Sequence, residues 1–207
     1  NIRGYATTTV PEHVFALMLA LRRSLPAYRR SVAAGAWQRA GQFCYFDRPV
    51  HDMAGATLAV IGAGSIGGAV VRLAEAFGMR VLRAEHKDAN VLRPGYTDFA
   101  QVLREADAIT LHCPLTPQTQ GLIGEAELRA MKPMALLINT ARGDLVDPGH
   151  QLGKGPGLVF VDEEGLVAVQ AREGECLTHR LRKLGELLDR AVVDDDHGEG
   201  HGARELV

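Results

Sequence analysis

Hydrophobic residues along this chain occur in two alternating patterns. Four short segments rich in apolar residues have the pattern of β-strands, and they cover residues 57–61, 79–84, 107–112 and 135–139. Stripes of helical spacing lie between them, at residues 65–77, 98–106 and 125–131. Strands that alternate with helices in this way predict an α/β fold built on a doubly wound parallel sheet.

The residues before the first predicted strand have a helical pattern. Thr9 and Glu12 have the spacing of a capping box around Pro11, which predicts that a helix begins at Thr9. Val14 to Leu21 is apolar on every side, so we expect this helix to be buried all round, between domains or between subunits. Further along, Pro26 is expected to kink or break the helix.

The first predicted strand runs directly into a glycine motif. Gly62, Gly64 and Gly67 have the G-x-G-x-x-G spacing of dinucleotide-binding turns. Gly62 would form the tight turn, Gly64 would let the backbone approach a pyrophosphate, and Gly67 would let the next helix pack on the strand. The N-terminus of that helix would offer free N–H groups and a positive dipole end to the anion. The alternative is a glycine-rich strand-to-helix turn that binds no ligand.

Four predicted turns lie at one edge of the sheet. They contain residues 62–67, Glu85, residues 112–116 and residues 140–143, each at the carboxyl end of a predicted strand. Ligands of doubly wound sheets bind outside this edge. Glu85 is eighteen positions after Gly67, close to the place where an acid holds the adenosine ribose in dinucleotide folds. The pattern therefore predicts one crevice formed by four loops.

The composition is that of an ordinary globular protein and narrows the classes of partner. Of 207 residues 46% are hydrophobic, and the net charge of −2 gives no reason to expect nucleic acid or an acidic membrane as a partner. Val14 to Leu21 is much shorter than the roughly 18 apolar residues of a membrane span. Cys44, Cys113 and Cys176 favour free thiols in a reducing cytoplasm. Because the chain opens on Asn1 without an initiating Met or an export leader, we expect a fragment of a cytoplasmic protein.

Five motifs follow one another along the chain, at residues 4–14, 62–67, 111–117, 131–133 and 138–143, the last reading Ile-Asn-Thr-Ala-Arg-Gly. Together they resemble the D-isomer-specific 2-hydroxyacid dehydrogenases. Residues 81–87 and 111–119 look most like the glycerate dehydrogenase, or hydroxypyruvate reductase, branch of that family. The resemblance extends over about residues 1 to 147, and five ordered motifs are far more specific than a glycine turn alone.

The resemblance implies a Rossmann-type domain that binds NAD. In the family, a hydride moves between the nicotinamide ring and C2 of a small 2-hydroxy or 2-keto acid. Carried over to this sequence, the resemblance assigns these cofactor contacts: Gly62, Gly64, Ser65, Ile66 and Gly67 at the pyrophosphate, Glu85 at the adenosine ribose, His112, Cys113 and Pro114 at the adenosine side, and Thr140, Ala141 and Arg142 near the nicotinamide.

Arg142 is the residue expected to be catalytic. A guanidinium fork can hold the substrate carboxylate and polarise the carbonyl group that accepts the hydride. The alternative is an arginine that only pairs with a neighbouring acid such as Asp144. Cys113 is interpreted as a small, packed residue of the pocket wall rather than a nucleophile, since that position needs no thiolate.

The same resemblance bears on the choice of cofactor. Glu85 favours NAD over NADP, because a carboxylate would repel a 2′-phosphate. His86 and Lys87 weaken this preference, since either side chain offers positive charge to a phosphate.

After about Val146 the sequence departs from the family pattern. The family continues with a regular helix, an apolar strand bearing Asp, a catalytic Glu and a Thr-Pro-His whose His is the general acid and base. Here residues 148–157 are dense in Gly and Pro, which disfavours a helix, although residues 158–161 have the pattern of a strand. We therefore expect a dinucleotide-binding domain at 1–150, with a contact helix at 9–37, and an atypical, partly disordered tail at 151–207.

The tail offers weak substitutes for the missing groups. Glu163 or Glu164 as the acid and His197 as the base are disfavoured, because nothing in the sequence would fix the ring near a substrate. The Asp- and His-rich residues 194–202 are interpreted as solvated rather than metal-binding. A frameshifted reading of the tail is the hypothesis that explains the abrupt loss of pattern, and most of the family's substrate lobe would precede Asn1.

Three functional readings follow from the sequence. The first is an NAD-dependent oxidoreductase acting on the CH–OH group of a D-2-hydroxy acid of the glycerate or hydroxypyruvate type. The second is a non-catalytic NAD-binding module, like the corepressors that share this fold. The third is a fragment too incomplete to fold. The apolar helix at 14–21 resembles the family's subunit contact, so a homodimer is expected.

Overall fold

The computed structural model describes residue 4 and residues 6–46, 48–147, 158–161 and 167–169. Within these residues one sheet contains β1 (Thr57–Ile61), β2 (Arg80–Ala84), β3 (Ala108–Leu111), β4 (Leu136–Asn139), β5 (Leu158–Val161) and β6 (Val167–Val169). The strand order is β2-β1-β3-β4-β5-β6, and all neighbours are parallel except β5 and β6. The four predicted core strands and the strand expected at 158–161 are confirmed, whereas β6 was not anticipated.

The helices of the described residues precede the sheet or connect its strands. They are α1 (Ala6–Arg22), α2 (Leu25–Ala33), α3 (Ala36–Ala40), α4 (Ser65–Ala76), α5 (Phe99–Glu105) and α6 (Glu125–Ala130), with a 3-10 turn at Gly143–Leu145. None of them is both long and apolar enough to cross a membrane.

Helix ends near the site follow local sequence signals. Asp98 caps α5 by accepting the main-chain N–H of Gln101 at 2.9 Å. Gly78 follows α4 with φ of 70°, a left-handed conformation that glycine adopts without strain. These local signals explain why α4 and α5 end and begin where the sequence predicted.

Alternate residues of the central strand face two separate hydrophobic layers. Leu58 and Val60 pack with α1 and α4, whereas Ala59 and Ile61 pack with α5 and α6. This period of two is the geometry of an extended strand, and helices on both faces bury both sides of the sheet. The α/β, doubly wound parallel architecture predicted from the sequence is therefore confirmed.

The first helix differs from its prediction in two ways. It begins at Ala6 rather than Thr9, because Thr7 closes an earlier turn through its N–H and its hydroxyl, both bonded to the carbonyl of Gly4. Pro11 consequently lies inside the helix. The expected break near Pro26 is present, since α1 ends at Arg22 and α2 starts at Leu25.

Within the described residues of this single chain only one face of α1 is covered, so its expected burial between domains or subunits stays a prediction. Val14, Phe15, Leu17 and Met18 are buried, and Phe15 stacks on Phe77 with ring centroids 5.0 Å apart. The opposite face is open: Ala16 is exposed, and residues 19–21 are only partly covered. An apolar composition alone does not say how many faces a single chain can cover.

The tail residues named in the sequence analysis lie outside the described residues. These are Glu163, Glu164, Cys176, His197 and the run at 194–202. The division into 1–150 and 151–207 and the frameshift hypothesis accordingly stay predictions.

Candidate functional site

The turn after β1 needs glycine at two positions and leaves space at a third. Gly62 has φ of 94°, and a Cβ there would lie 2.6 Å from the carbonyl carbon of His112 and 2.5 Å from the nitrogen of Cys113. A Cβ on Gly67 would lie 2.1 Å from the carbonyl oxygen of Gly62. Beside Gly64 there is open space, with no atom within 4 Å of such a Cβ. The turn is therefore closed on two sides and open where a pyrophosphate would approach.

The first turn of α4 carries the features of an anion site. Its N-cap is Gly64, which has no side chain to occupy the free N–H groups, and the first turn contains no acidic residue. Ser65 is exposed and Ile66 is half-buried at this end of the helix. The N–H groups here keep their positive partial charge for a bound anion.

Glu85 directly follows β2 at the carboxyl edge, but its carboxylate is already engaged. The side chain is only 2% exposed. It accepts the main-chain N–H groups of His86 at 2.9 Å and Arg93 at 3.0 Å, and the Arg93 Nη2 lies 2.6 Å from its Oε1. The guanidinium of Arg93 and these main-chain donors hold the pKa of Glu85 at about 2, against the opposing effect of burial. Glu85 is thus ionised and surrounded by donors from its own loop.

The loop between β2 and α5 is fastened by further contacts. The Lys87 Nζ lies 2.9 Å from an Oε1 of Glu127, at the start of α6. The guanidinium carbon of Arg93 lies 3.9 Å from the centre of the Tyr96 ring, in a cation–π arrangement. His86 is exposed beside them. Two cationic side chains of this loop are therefore fixed in place.

The segment after β3 lies at the same edge of the sheet and carries no activated group. The Nε2 of His112 lies 2.9 Å from the Thr110 hydroxyl, and burial lowers the pKa of His112 to about 4, so the ring is neutral near pH 7. Cys113 packs against the core, and burial raises the pKa of its thiol, which disfavours the thiolate. Pro114 accepts the hydroxyl of Thr119 at 2.7 Å through its carbonyl oxygen.

Arg142 lies in the turn after β4, where hydrogen bonds from a neighbouring side chain fix its main chain. The buried Asn139 donates through Nδ2 to the carbonyl of Arg142 at 2.7 Å and accepts the N–H of Ala141 at 3.1 Å. Arg142 is exposed, and its Nη1 donates to the carbonyl of Ala141 at 2.8 Å. Among the described residues no ion pair joins Arg142 to Asp144. Thr140 has a buried hydroxyl without a hydrogen-bond partner in the described part of the chain.

The fold brings all predicted site residues to one edge, and two further residues shape it. Asn139 carried a visible signal, since it is the polar end of an otherwise apolar strand, but its bond to Arg142 depends on the turn. Arg93 carried no signal, because it lies eight positions after Glu85 in a polar loop without periodicity. Only the closure of that loop brings the two together.

The residues present fit a dinucleotide. Space opens beside Gly64 for a pyrophosphate, the start of α4 offers N–H groups, and the hydroxyl of Thr140 still lacks the partner that buried polar groups require. In the described ranges no group of three or more His, Cys, Asp or Glu side chains is arranged to hold a metal ion.

Comparison with known proteins points the same way. Residues 15–150 match the model of the D-isomer specific 2-hydroxyacid dehydrogenase, NAD binding domain. A putative 2-hydroxyacid dehydrogenase of Haemophilus influenzae is 53% identical over 147 residues, which are 71% of this chain and 47% of that protein. A glycerate dehydrogenase of Methylorubrum extorquens is 50% identical over 147 residues, 71% of this chain and 46% of that protein. The chain thus spans about half the length of these curated relatives.

Solved structures share the fold. D-lactate dehydrogenase from Aquifex aeolicus, complexed with NAD and lactic acid, matches with a TM-score of 0.63 and 31% identity, over 89% of this chain and 54% of that one. A D-isomer specific 2-hydroxyacid dehydrogenase from Lactobacillus delbrueckii, in its NAD-complexed form, matches with a TM-score of 0.62 and 30% identity, over 80% of this chain and 52% of that one. The predicted family and its cofactor NAD are confirmed by these matches. This chain belongs to the D-isomer specific 2-hydroxyacid dehydrogenase family and contains its NAD-binding domain.

Proposed function

We propose that this chain is the cofactor-binding part of an NAD-dependent oxidoreductase acting on the CH–OH group of a D-2-hydroxy acid, of the glycerate or hydroxypyruvate type. The exposed guanidinium of Arg142, at the same sheet edge as the glycine turn, is the observation that carries the proposal. The similarity to a glycerate dehydrogenase, 50% identical over 147 residues, supports the substrate class.

The chemistry divides between the cofactor and the side chains. NAD, when bound, exchanges a hydride with C2 of the acid. Arg142 binds the substrate carboxylate through its planar fork and polarises the carbonyl group. Asn139 holds the main chain of Arg142 and thereby keeps the attachment point of the guanidinium in one place.

The remaining contacts extend along the edge of the sheet. The residues proposed to touch NAD are Gly62, Gly64, Ser65, Ile66 and Gly67 at the pyrophosphate, the loop that begins at Glu85 at the ribose, His112, Cys113 and Pro114 at the adenosine side, and Thr140, Ala141 and Arg142 at the nicotinamide.

The test is oxidation of NADH by hydroxypyruvate, followed through the loss of NADH absorbance. Arg142→Gln is expected to lower kcat/KM by roughly 10²-fold or more, as removal of a transition-state donor does, and to weaken NADH binding far less. Arg142→Lys keeps the charge without the fork and should fall between. Arg129→Gln is the matched control, since Arg129 is exposed on α6 and pairs only with Glu125 in the described part of the chain. A kcat/KM that is the same in Arg142→Gln as in the unchanged chain contradicts the proposed role.

A second candidate is a non-catalytic NAD-binding module. It is favoured by one observation, that the sequence after residue 147 contains no Thr-Pro-His. NADH binding without turnover of hydroxypyruvate or related 2-keto acids would support this second function over the first.

We also propose that the chain assembles as a homodimer in the cytoplasm. The open face of α1 and the exposed side chains of Phe43 and Phe46 support an apolar contact, and the free thiols of Cys44 and Cys113 suit a reducing compartment. Sedimentation equilibrium should give twice the chain mass, and Phe43→Ser should lower it. Val91→Ser, equally a change at an exposed apolar residue, is the control.

A further inference from the structure

The carboxylate of Glu85 has no free position for a ribose hydroxyl. An ionised carboxylate accepts about four hydrogen bonds. Here the donors are the main-chain N–H groups of His86 and Arg93 together with the Nε and Nη2 of Arg93, all within 2.6 to 3.0 Å. With 2% of its side chain exposed, Glu85 also has almost no surface to offer a ligand.

The exposed member of this pair is Arg93. Its side chain is 52% exposed, although one edge of the guanidinium is held by Glu85 and one face by the Tyr96 ring. Its Nη1 donates to none of the described residues. A guanidinium fixed in this way, with a free edge, is well suited to bind a phosphate.

Arg93 is fastened to a residue that lies beside the phosphate turn. Ala84 pairs with Ile61 in the parallel register of β2 and β1, so the next residues, Glu85 and Gly62, leave the sheet at the same level. Neighbouring strands lie about 4.8 Å apart. Glu85, to which Arg93 is fastened, therefore leaves the sheet next to the turn that faces the pyrophosphate, at the end where dinucleotide folds bind the adenosine ribose.

An acid at this position discriminates against NADP only if its charge faces the ribose, whereas an arginine nearby accommodates a 2′-phosphate. We infer that Arg93, and not Glu85, meets the 2′ position of the ribose, so that the site binds the 2′-phosphate of NADP as well as the 2′-hydroxyl of NAD. Glu85 is then the buried anchor that positions Arg93. The inference rests on the dinucleotide site proposed above.

Calorimetric titration of the full chain with NADH and with NADPH tests this inference. The two dissociation constants should agree within about tenfold, the size of one weak polar contact. Arg93→Gln should weaken NADPH by about tenfold or more, since a charge-assisted bond is lost, and NADH by less than about threefold. Arg93→Lys should restore part of the NADPH affinity. Lys87→Gln is the matched control, because Lys87 is a cation of the same loop whose ammonium is engaged by Glu127.

Several results would overturn the inference. Wild-type chain that binds NADPH more than about a hundredfold weaker than NADH excludes it without any variant. An equal loss of both ligands in Arg93→Gln makes Arg93 a structural residue only. If that variant does not fold, Glu85→Gln provides the test. The inference expects almost unchanged NADH affinity in this variant, and a tenfold loss of NADH affinity would mean that Glu85 binds the ribose. Failure of both dinucleotides to bind removes the proposed function as well, which separates the two failures.

Discussion

The side chain of Asn139 holds the main chain of Arg142, with its Nδ2 2.7 Å from the Arg142 carbonyl oxygen. Its Oδ1 accepts the N–H of Ala141, so a single buried amide closes the turn that presents the guanidinium. A side chain that is 2% exposed thus determines the position of an exposed one.

Replacing Asn139 by Ala should destabilise the protein. The Ala141 N–H would lose its partner, and the Arg142 carbonyl would keep only the Leu145 N–H at 3.2 Å, which costs roughly 1–3 kcal/mol. Urea denaturation of Asn139→Ala and of Asn90→Ala measures the difference. Asn90, in an exposed loop, provides the control and should change the free energy of unfolding by less than about 0.5 kcal/mol. Equal effects at the two positions would mean that the turn bonds contribute nothing.

Two adjacent glycines of α4 should respond in opposite directions to alanine. A Cβ on Gly67 would clash with the main chain of Gly62, whereas a Cβ on Gly68 meets nothing within 4 Å. Gly67→Ala should therefore lower the melting temperature and weaken NADH binding. Gly68→Ala should raise stability by about 0.5–1 kcal/mol, the helix preference of Ala over Gly. Thermal unfolding and NADH titration of both variants provide the check, and a neutral Gly67→Ala would contradict the close packing.

Stability should depend on Glu85 in acid. Its pKa is lowered from the ordinary 4.5 to about 2 by Arg93 and the main-chain donors. A depressed pKa means that the contribution is fully present above pH 4.5 and is lost as the pH falls towards 2, because the unfolded chain takes up the proton first. Unfolding free energies measured across this range should fall less steeply for Glu85→Gln. Identical slopes for the two proteins would contradict the buried ion pair.

His112 should affect the pH dependence of stability at higher pH than Glu85 does. Burial lowers its pKa from 6.5 to about 4, so the folded protein resists protonation of the ring. The unfolded chain binds this proton first, and the free energy of unfolding should therefore decrease as the pH falls from 6.5 to 4, by up to about 3 kcal/mol. Nitrogen-detected NMR of the imidazole checks the neutral ring directly. If His112 titrates near 6.5 in the folded protein, burial does not lower its pKa and the prediction is wrong.

The largest differences between prediction and structure concern residues whose role depends on distant neighbours. The sequence placed Glu85 correctly at the end of β2, because the strand, the glycine turn and the spacing are local features. It did not show that Arg93 returns to cover the carboxylate, since the residues between them have no periodicity that would indicate how the loop closes. The start of α1 was misplaced for a similar reason, because Gly4 and Thr7 provide an earlier closing turn than the capping box at Thr9.

The order of strands and helices, the parallel sheet and the edge at which the site residues gather could be predicted from the sequence. These follow from apolar periodicity and from glycines whose steric need is read within a few residues. Which groups at that edge are available to a ligand depends on the three-dimensional fold. Hydrogen-bond partners are set by how loops fold back, and this is why Glu85 is enclosed while Arg93 and Arg142 remain exposed.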